Sequence, residues 1–402
     1  MFGEVLAVGK AGATLELPFP VLDDGAEEHA PVFGVVAGLR AAAWDVCVFL
    51  PVDCPLVTPD ALQALAEARA VPQTGPLPGA DEKALLPELE SRVERGELSL
   101  RGVNRNELEL PEGLLLNVNT PRDLVAAEIA DWAREREDVR GVLVVGSYAR
   151  LREPADRWSD LDVALFVDEP QRLLAEQDWV AEFGRPVLTF LEPTAVGGRV
   201  ERRVLYDDGQ DVDFIPLTKA DLDEFADNPG VGAVLGRGYV VLHDELGIAD
   251  ALAGIEEPPP PGPPDPAALT ELASDLWFHA LWTARKLRRG EVFTAIGCLD
   301  GYILWKIVPL FEWHARAIDP AVDTWHGGRF LERWADPGAL VALEDAYARY
   351  DLRDVARALW ATIDLFQGLT EEIASRLGLE LALDHADLRR RVAEVVPDPR
   401  RM

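Results

Sequence analysis

Two aspartates, Asp160 and Asp162, stand two residues apart where an otherwise apolar run, 161–167, begins. Such a run predicts a strand, and alternate residues of a strand point to the same face. Two carboxylates side by side repel each other unless a cation joins them. Because Mg²⁺ prefers hard oxygen ligands from carboxylates and substrate phosphates, this spacing predicts a magnesium site.

A Gly-Ser pair precedes these acids. Residues 142–145 are apolar and predict a buried strand. Gly146 and Ser147 predict a tight turn, with a helix from Tyr148 onward. The free N–H groups at a helix N-terminus favour phosphate, so we expect this turn to bind nucleotide phosphates. Arg150 could reach a phosphate oxygen, or it could be an ordinary solvated arginine on the helix surface.

A third acid is expected from segment 204–215, which predicts a hairpin about a glycine turn. Asp213 is the preferred candidate, and Asp211 competes with it because both lie on one face of the returning strand. Three carboxylates can hold two ions about 3.5–4 Å apart, which activate an attacking oxygen and neutralise a leaving pyrophosphate. Asp213 would complete the metal site or accept the proton of the attacking group.

The order of strand, Gly-Ser, helix, Asp-x-Asp strand and distal Val-Asp-Phe resembles the nucleotidyltransferase superfamily that includes DNA polymerase β and the aminoglycoside nucleotidyltransferases. The resemblance implies a polymerase-β-type fold for this part of the chain. It also implies ATP as co-substrate, Mg²⁺ at Asp160, Asp162 and Asp213, and phosphates at Gly146 and Ser147.

The net charge of the chain limits the classes of molecule that it is expected to bind. The 402-residue chain carries 71 Asp and Glu against 39 Lys and Arg, a formal net charge of −32. A nucleic-acid-binding protein needs a basic surface, so this balance argues against that class. A small cationic molecule would be attracted, although an acidic surface can also serve solubility alone.

Length predicts two or three domains. The sequence contains no run close to the ~18 apolar residues that span a bilayer and no opening signal segment, so we expect a cytoplasmic protein without a membrane partner. Cys47, Cys54 and Cys298 are too scattered for a disulfide framework or a structural zinc site, and we expect free core thiols.

The first domain is expected over 1–124. Its alternation of short apolar strands and helices predicts a truncated doubly wound α/β domain with a parallel sheet. The strand 46–50 leads to Asp53, at the strand end where such sheets bind ligands.

Four segments of this domain, 34–42, 49–59, 76–79 and 117–124, look like the molybdenum cofactor guanylyltransferases. The resemblance implies that Asp53, Asn117 and Asn119 serve a Mg²⁺ and nucleotide site. That family's Gly-rich first loop has no counterpart after Met1. We expect either a degenerate remnant or a start codon chosen too late, and in both cases an inactive second site whose three polar residues only cap turns.

Three further segments follow. Thr120-Pro121 predicts the start of a helix that reaches Glu137 and leads into a catalytic domain over 125–253. The Pro-rich run 254–266 cannot form a helix or central strand and predicts an extended linker. From 267 to 402 the apolar spacing predicts a helical bundle.

The predicted helices of this bundle cover 272–289, 292–314, 338–348 and 353–377. Their tryptophans are expected in the bundle core by default: Trp277, Trp282, Trp305 and Trp313.

The carboxyl-terminal half resembles the streptomycin 6-adenylyltransferases through Phe-Glu-Trp-His at 311–314, Gly-Arg-Phe-Leu-Glu-Arg-Trp at 328–334, and Asp300. With the catalytic motif, the resemblance covers about 139–396. It implies that Asp300 and Glu312 pair with amine or guanidinium groups of a cationic acceptor, with His314 a weaker candidate. The alternative for all three is intrahelical pairing or a hydrogen-bonded, half-buried position.

Together these features predict an Mg²⁺-dependent nucleotidyltransferase that moves AMP from ATP to a hydroxyl of an aminoglycoside such as streptomycin, releasing pyrophosphate. A nucleotidyltransferase with a non-drug acceptor is an alternative. A molybdenum cofactor guanylyltransferase is another if the true N-terminus is longer. A regulatory binding module with two degenerate domains is a third.

Overall fold

The computed structural model describes residues 2–10, 17–150, 152–225, 228–257, 259, 261–325 and 327–399. The chain divides into two compact units, Met1–Pro258 and Pro259–Met402. The division falls within the Pro-rich run, of which Pro258 and Pro260 lie outside the described residues.

In its described residues, the first part of the amino-terminal unit contains short strands and three α-helices. The strands are β1 (Ala7–Gly9), β2 (Val21–Asp23), β3 (Val46–Phe49), β4 (Val71–Pro72), β5 (Gly79–Glu82) and β6 (Glu107–Leu108), and the helices are α1 (Pro31–Ala41), α2 (Pro59–Ala68) and α3 (Leu86–Glu94). Among the described residues these strands form three separate pairs, of which β1–β2 and β4–β6 are parallel and β3–β5 is antiparallel. The predicted doubly wound parallel sheet is therefore not what these strands form, because periodicity identifies a strand but not its direction or neighbour.

Helix α4 (Pro121–Arg134) follows and begins as predicted. Thr120 accepts from the backbone N–H of Asp123, and the Asp123 carboxylate accepts from the backbone N–H of Thr120, which completes a capping box. The helix ends three residues before the predicted Glu137.

A six-stranded mixed sheet then carries most of the unit's core. Its strands are β7 (Val139–Val145), β8 (Leu161–Val167), β9 (Pro186–Pro193), β10 (Val200–Tyr206), β11 (Asp211–Leu217) and β12 (Val240–Asp244), in the spatial order β12-β7-β8-β11-β10-β9. Short helices connect them: α5 (Gly146–Ala149), α6 (Pro170–Ala175), α7 (Lys219–Glu224), α8 (Pro229–Leu235) and α9 (Ile248–Leu252). Among the described residues, β8–β11 is the only parallel pair of this sheet.

The two faces of this sheet bury different side chains. On one face Val163, Leu165 and Phe214 pack against α4 and the aromatic residues that follow α6. On the other face Ala164 and Phe166 contribute to a smaller cluster. Asp162 has the same alternation as Ala164 and Phe166, so it lies on this second face.

The carboxyl-terminal unit is helical, as predicted. Its helices are α10 (Pro266–Arg288), α11 (Val292–Cys298), α12 (Leu304–Ile318), α13 (Leu331–Trp334), α14 (Pro337–Ala346), α15 (Leu352–Leu377) and α16 (His385–Val395), with a π-helical turn at Leu299–Ile303. Aspartates 265, 336, 351 and 384 cap α10, α14, α15 and α16 through their side chains.

Of the four tryptophans expected in the core, one is buried there and two are partly buried against it. Trp277 is buried against Phe366, while Trp282 and Trp313 pack at the edge of the cluster. Trp305 is 66% exposed, so the prediction was wrong for this residue. Its neighbours Leu304 and Ile307 face the core instead, and one helix face cannot bury all three.

One helical segment, Val292–Ile318, is long and apolar enough to cross a membrane by length and composition, with a mean hydropathy of 1.3. The sequence prediction that nothing approaches this length was therefore too strict. Core helices pass the same test, and Leu299, Ile303 and Ile307 of this segment lie in the helical core.

Candidate active site

The three predicted acids meet at one end of the six-stranded sheet. In the register of the parallel pair β8–β11, Asp162 lies opposite Asp213. Asp160 is the loop residue that immediately precedes β8. One carboxylate oxygen from each of the three lies within 4.8 Å of the others. The acids are therefore close enough to share a ligand.

This donor set fits a magnesium ion. All three ligands are hard carboxylate oxygens, and Asp213 is only 3% exposed whereas Asp160 and Asp162 are half-buried. Like charges this close favour a divalent cation between them.

Asp211, the competing third acid, lies outside this trio. It sits on the same face of β11 two residues earlier, with 45% of its side chain exposed. The geometry thus favours Asp213 as the third ligand, because a strand places residues i and i+2 on one face but at different heights.

One functional residue of this site was not predicted from the sequence. It is Arg203, whose guanidinium group lies among these acids. It lies opposite Asp213 in the β10–β11 register, and its Nε–H donates to Asp213 Oδ1 at 2.8 Å. Its Nη1–H donates to Glu192 at 2.8 Å, and its Nη2 lies 3.7 Å from Asp160. The arginine holds one oxygen of Asp213 and leaves the other available. Only its spacing from Asp213 across the hairpin could have signalled this.

Burial raises the pKa of Asp213 to about 8; the guanidinium of Arg203 opposes the rise, and the carboxylate of Asp162 adds to it. Burial likewise raises the pKa of Glu201, again opposed by Arg203. A carboxyl group whose pKa is raised in a cleft of like charges is a candidate for proton transfer or cation binding.

The Gly-Ser turn approaches Asp162 closely. Gly146 has φ +70°, and a Cβ at this position would overlap the Asp162 carboxylate. Only glycine avoids both problems. The buried Ser147 donates its hydroxyl to the carbonyl of Asp160 at 3.4 Å. The Gly-Ser turn is therefore in direct contact with Asp160 and Asp162.

The helix after the turn differs from the prediction. It begins at Gly146 rather than Tyr148 and ends after one turn at Ala149. Tyr148 donates its hydroxyl to Asp123 of α4 at 2.7 Å. Arg150 follows in extended conformation and is half-buried, so it is not an arginine of a helix surface.

The three acceptor candidates lie in the helical unit. Asp300 belongs to the π-helical turn; burial raises its pKa, a hydrogen bond from the backbone N–H of Ala348 opposes the rise, and its Oδ1 has no partner among the described residues. Glu312 pairs with Arg316 at 3.3 Å one helical turn later. His314 is 2% exposed, and its Nε2 lies 3.1 Å from Glu372. The pairing of Glu312 within its helix and the half-buried, backbone-bonded position of Asp300 correspond to the structural alternative, whereas neither ring nitrogen of His314 has a hydrogen-bond partner among the described residues.

The three residues of the second site lie together. The carbonyl of Asp53 accepts from the backbone N–H of Val118 at 2.7 Å, which brings Asp53 beside Asn117 and Asn119. Asn119 donates its amide to Asn117 Oδ1 at 2.5 Å, and its backbone N–H to Asp123 at 2.9 Å. The Asn119 contacts lie in the turn that leads into α4, whereas Asp53 contributes its backbone carbonyl there.

Comparison with known families gives two matches along the chain. The family model described as Streptomycin adenylyltransferase matches residues 122–393, which include Gly146 and the three acids. A model described as MobA-like NTP transferase domain matches residues 1–98.

Individual relatives are distant. The aminoglycoside 6-adenylyltransferase of Bacillus subtilis (strain 168) is 21% identical over 256 residues, which cover 61% of this chain and 88% of that protein. The aminoglycoside 6-adenylyltransferase of Staphylococcus aureus is 19% identical over 193 residues, covering 46% and 66%. A crystal structure of an aminoglycoside 6-adenyltransferase from Bacillus subtilis has a TM-score of 0.34 and 14% identity, covering 69% of this chain and 99% of that one.

Proposed function

Because the chain belongs to the streptomycin adenylyltransferase family, we propose that it transfers AMP from ATP to a hydroxyl of an aminoglycoside, with streptomycin as the first acceptor to test. The chain is a nucleotidyltransferase of the aminoglycoside 6-adenylyltransferase type. The observation that carries the proposal is the trio of Asp160, Asp162 and Asp213 beside the Gly146 turn.

In the proposed reaction the acceptor oxygen bonds to the α-phosphorus of ATP, and the bond from that phosphorus to the bridging oxygen of pyrophosphate breaks. Asp160, Asp162 and Asp213 hold Mg²⁺, which when bound supplies positive charge against the triphosphate and the leaving pyrophosphate. Gly146 and Ser147 orient the β- and γ-phosphates, and Arg150 adds a cation beside them.

Asp213 has a second proposed role, as acceptor of the hydroxyl proton. Its burial and its hydrogen bond from Arg203 fix one carboxylate oxygen and leave the other for the ion or the proton. Positioning and preorganised charge contribute the rest of the rate enhancement.

We propose that the cationic acceptor is bound with the help of the helical domain, 267–402, through Asp300, Glu312 and His314. Asp300 Oδ1 and both ring nitrogens of His314 lack a hydrogen-bond partner among the described residues, whereas Glu312 pairs with Arg316. The remaining divisions we propose are 1–124 as the MobA-like domain, 125–253 as the catalytic domain and 254–266 as the linker.

The test is pyrophosphate release from ATP with Mg²⁺, with and without streptomycin and a panel of other aminoglycosides. We expect release that requires an aminoglycoside and stops when Mg²⁺ is chelated. Absence of release with every acceptor and all four nucleotides would refute the drug-modifying assignment and favour a non-drug acceptor or a regulatory role.

Gly146→Ala is expected to lower kcat by at least about 10²-fold, because the added methyl group displaces the Asp162 carboxylate, and misplacement of a reacting group by about 1 Å has that effect. The positive φ should also lower the free energy of unfolding by roughly 1–3 kcal/mol. Pyrophosphate release and thermal melting measure the two effects.

The matched control is Gly209→Ala in the turn between β10 and β11. Gly209 has φ +87°, but a Cβ there meets nothing within 4 Å. This variant should share the loss of stability and keep its kcat. Equal loss of kcat in both variants would mean that backbone strain, and not the Asp162 contact, is responsible.

A further inference from the structure

One row of side chains runs across four strands of the six-stranded sheet. The strand register sets Asp162 of β8 opposite Asp213 of β11. Asp213 lies opposite Arg203 of β10, and Arg203 in turn lies opposite Phe190 of β9. Residues directly opposite each other in paired strands have their side chains on the same face. On that face, the acids of the candidate active site are therefore followed by a cation and then by an aromatic ring.

The order of the strands separates two sides of this row. Gly146 follows β7, which pairs with β8 on the side away from β11. In the proposed reaction the Gly146 turn orients the β- and γ-phosphates, so pyrophosphate leaves toward β7. An in-line displacement brings the attacking oxygen to the opposite side of the α-phosphorus. The acceptor hydroxyl therefore approaches from the side of β10 and β9.

This second side carries an excess of negative charge. The Arg203 guanidinium lies between 2.8 and 3.8 Å from four carboxylates: Asp160, Asp211, Asp213 and Glu192. Asp162 and Glu201 lie on the same face, which makes six carboxylates. One arginine and one divalent ion carry only three positive charges between them. The local charge therefore favours a cationic ligand.

Glu201 is a buried acid without a partner. It is 8% exposed, and neither a hydrogen bond nor an ion pair joins its carboxylate to another residue that the structure describes. The residue directly opposite it on β9 is a second acid, Glu192. Like charges set opposite each other destabilise a strand pair, and a buried carboxylate is costly unless a cation joins it. A bound amine or guanidinium group would supply the missing partner.

The apolar side chains on this face of β9 complete the surface. Strand alternation places Leu188, Phe190 and Glu192 on one face, and Leu188 and Phe190 are 49% and 47% exposed. An aromatic ring packs against the carbons of a saturated ring and attracts a cation over its own face. An exposed phenylalanine beside two glutamates therefore fits a ligand that combines a saturated ring with positive charge.

We propose that Phe190, Glu192 and Glu201 form an acceptor subsite within the catalytic domain. Its ligand class is a compound that carries amine or guanidinium groups on a saturated ring. The ring lies against Phe190, and one cationic group pairs with Glu201 and Glu192. The inference rests on the proposed function, because the position of the leaving pyrophosphate defines the side from which the acceptor attacks.

The experiment measures streptomycin binding to the full chain by calorimetry, with Mg²⁺ and a non-hydrolysable ATP analogue present. Glu201→Gln should weaken binding by roughly tenfold or more, since it removes a charged partner. Phe190→Ala should weaken it by roughly 3- to 30-fold. Added salt should weaken wild-type binding. In turnover, both variants should raise the KM for streptomycin and leave the KM for ATP unchanged.

The matched controls are Leu191→Ala and Glu182→Gln. Leu191 is next to Phe190 and equally exposed at 46%, but it lies on the opposite face of β9. Glu182 is an exposed glutamate away from the sheet. Both controls should bind streptomycin as the wild type does. Thermal melting adds a readout of folding: Glu201→Gln should melt no lower than the wild type, because it removes an unpartnered buried charge.

Wild-type protein that binds no aminoglycoside would overturn the proposal, and so would Phe190 and Glu201 variants that bind streptomycin normally. A Phe190→Ala protein in which only the KM for ATP rises would also overturn it and would assign the ring to the adenine base. Binding that depends on these residues without any pyrophosphate release would support the subsite and refute the proposed transfer. Aminoglycoside-dependent release with no change in either variant would do the reverse.

Discussion

Asp162→Asn should abolish aminoglycoside-dependent pyrophosphate release, with kcat reduced by about 10³-fold or more. Asparagine keeps the shape of the side chain but removes a negative charge from the centre of the trio, opposite Asp213 and against Gly146. A bound metal ion contributes several kcal/mol to such a transition state, and each 1.36 kcal/mol corresponds to a factor of ten. Steady-state pyrophosphate release and Mn²⁺ binding followed by electron paramagnetic resonance measure the two consequences.

Asp168→Asn is the matched control for this variant. Asp168 immediately follows the other end of β8 and is exposed, so the same substitution there removes a carboxylate without touching the site. It should leave kcat and Mn²⁺ binding unchanged. Activity of the Asp162 variant within about tenfold of wild type would contradict the metal assignment.

Asp213→Asn should lower kcat by about 10²–10⁴-fold, the usual range for loss of a positioned proton acceptor. Asp211→Asn provides the comparison, because Asp211 lies on the same face of β11 and 3.8 Å from Arg203 but outside the trio. Asp211→Asn should lower kcat much less than Asp213→Asn does. A larger loss in the Asp211 variant would reverse the choice of third acid.

The pH dependence of metal binding gives a second readout for Asp213. Burial raises its pKa to about 8 in the metal-free protein, with Arg203 opposing, so below that pH the carboxyl group holds a proton that the ion must displace. Mn²⁺ affinity should therefore rise with pH, by up to tenfold per unit below about 8, and level off above it. In Asp213→Asn this dependence should disappear.

The residues that could perform chemistry were readable from short-range spacing. Asp160 and Asp162 on one strand and Asp213 on a returning hairpin follow from strand alternation and a glycine turn, which are local properties. The cap at Thr120, the helical carboxyl-terminal half and the Pro-rich boundary are local in the same sense. Each of these predictions depended on residues a few positions apart.

The predictions that failed depended on partners distant in sequence. The amino-terminal strands look alike whether they pair parallel or antiparallel, and β3–β5 is antiparallel. Trp305 has the apolar character of a core residue, yet the helix rotation set by α15 and α10 turns it outward. The one-turn length of α5 is likewise set by its neighbours, since Gly238 closes against the carbonyl of Ala149.

By itself, the sequence determined which groups make up the candidate site: three carboxylates, a glycine that admits one of them, and a serine beside it. The tertiary structure decided how they are charged and held. Arg203 reaches Asp213 only because β10 and β11 pair in one register, and Asp213 is buried only because the sheet is packed on both faces. Composition and spacing are fixed along the chain, whereas register, burial and the pKa of a buried carboxyl group arise when distant segments exclude water together.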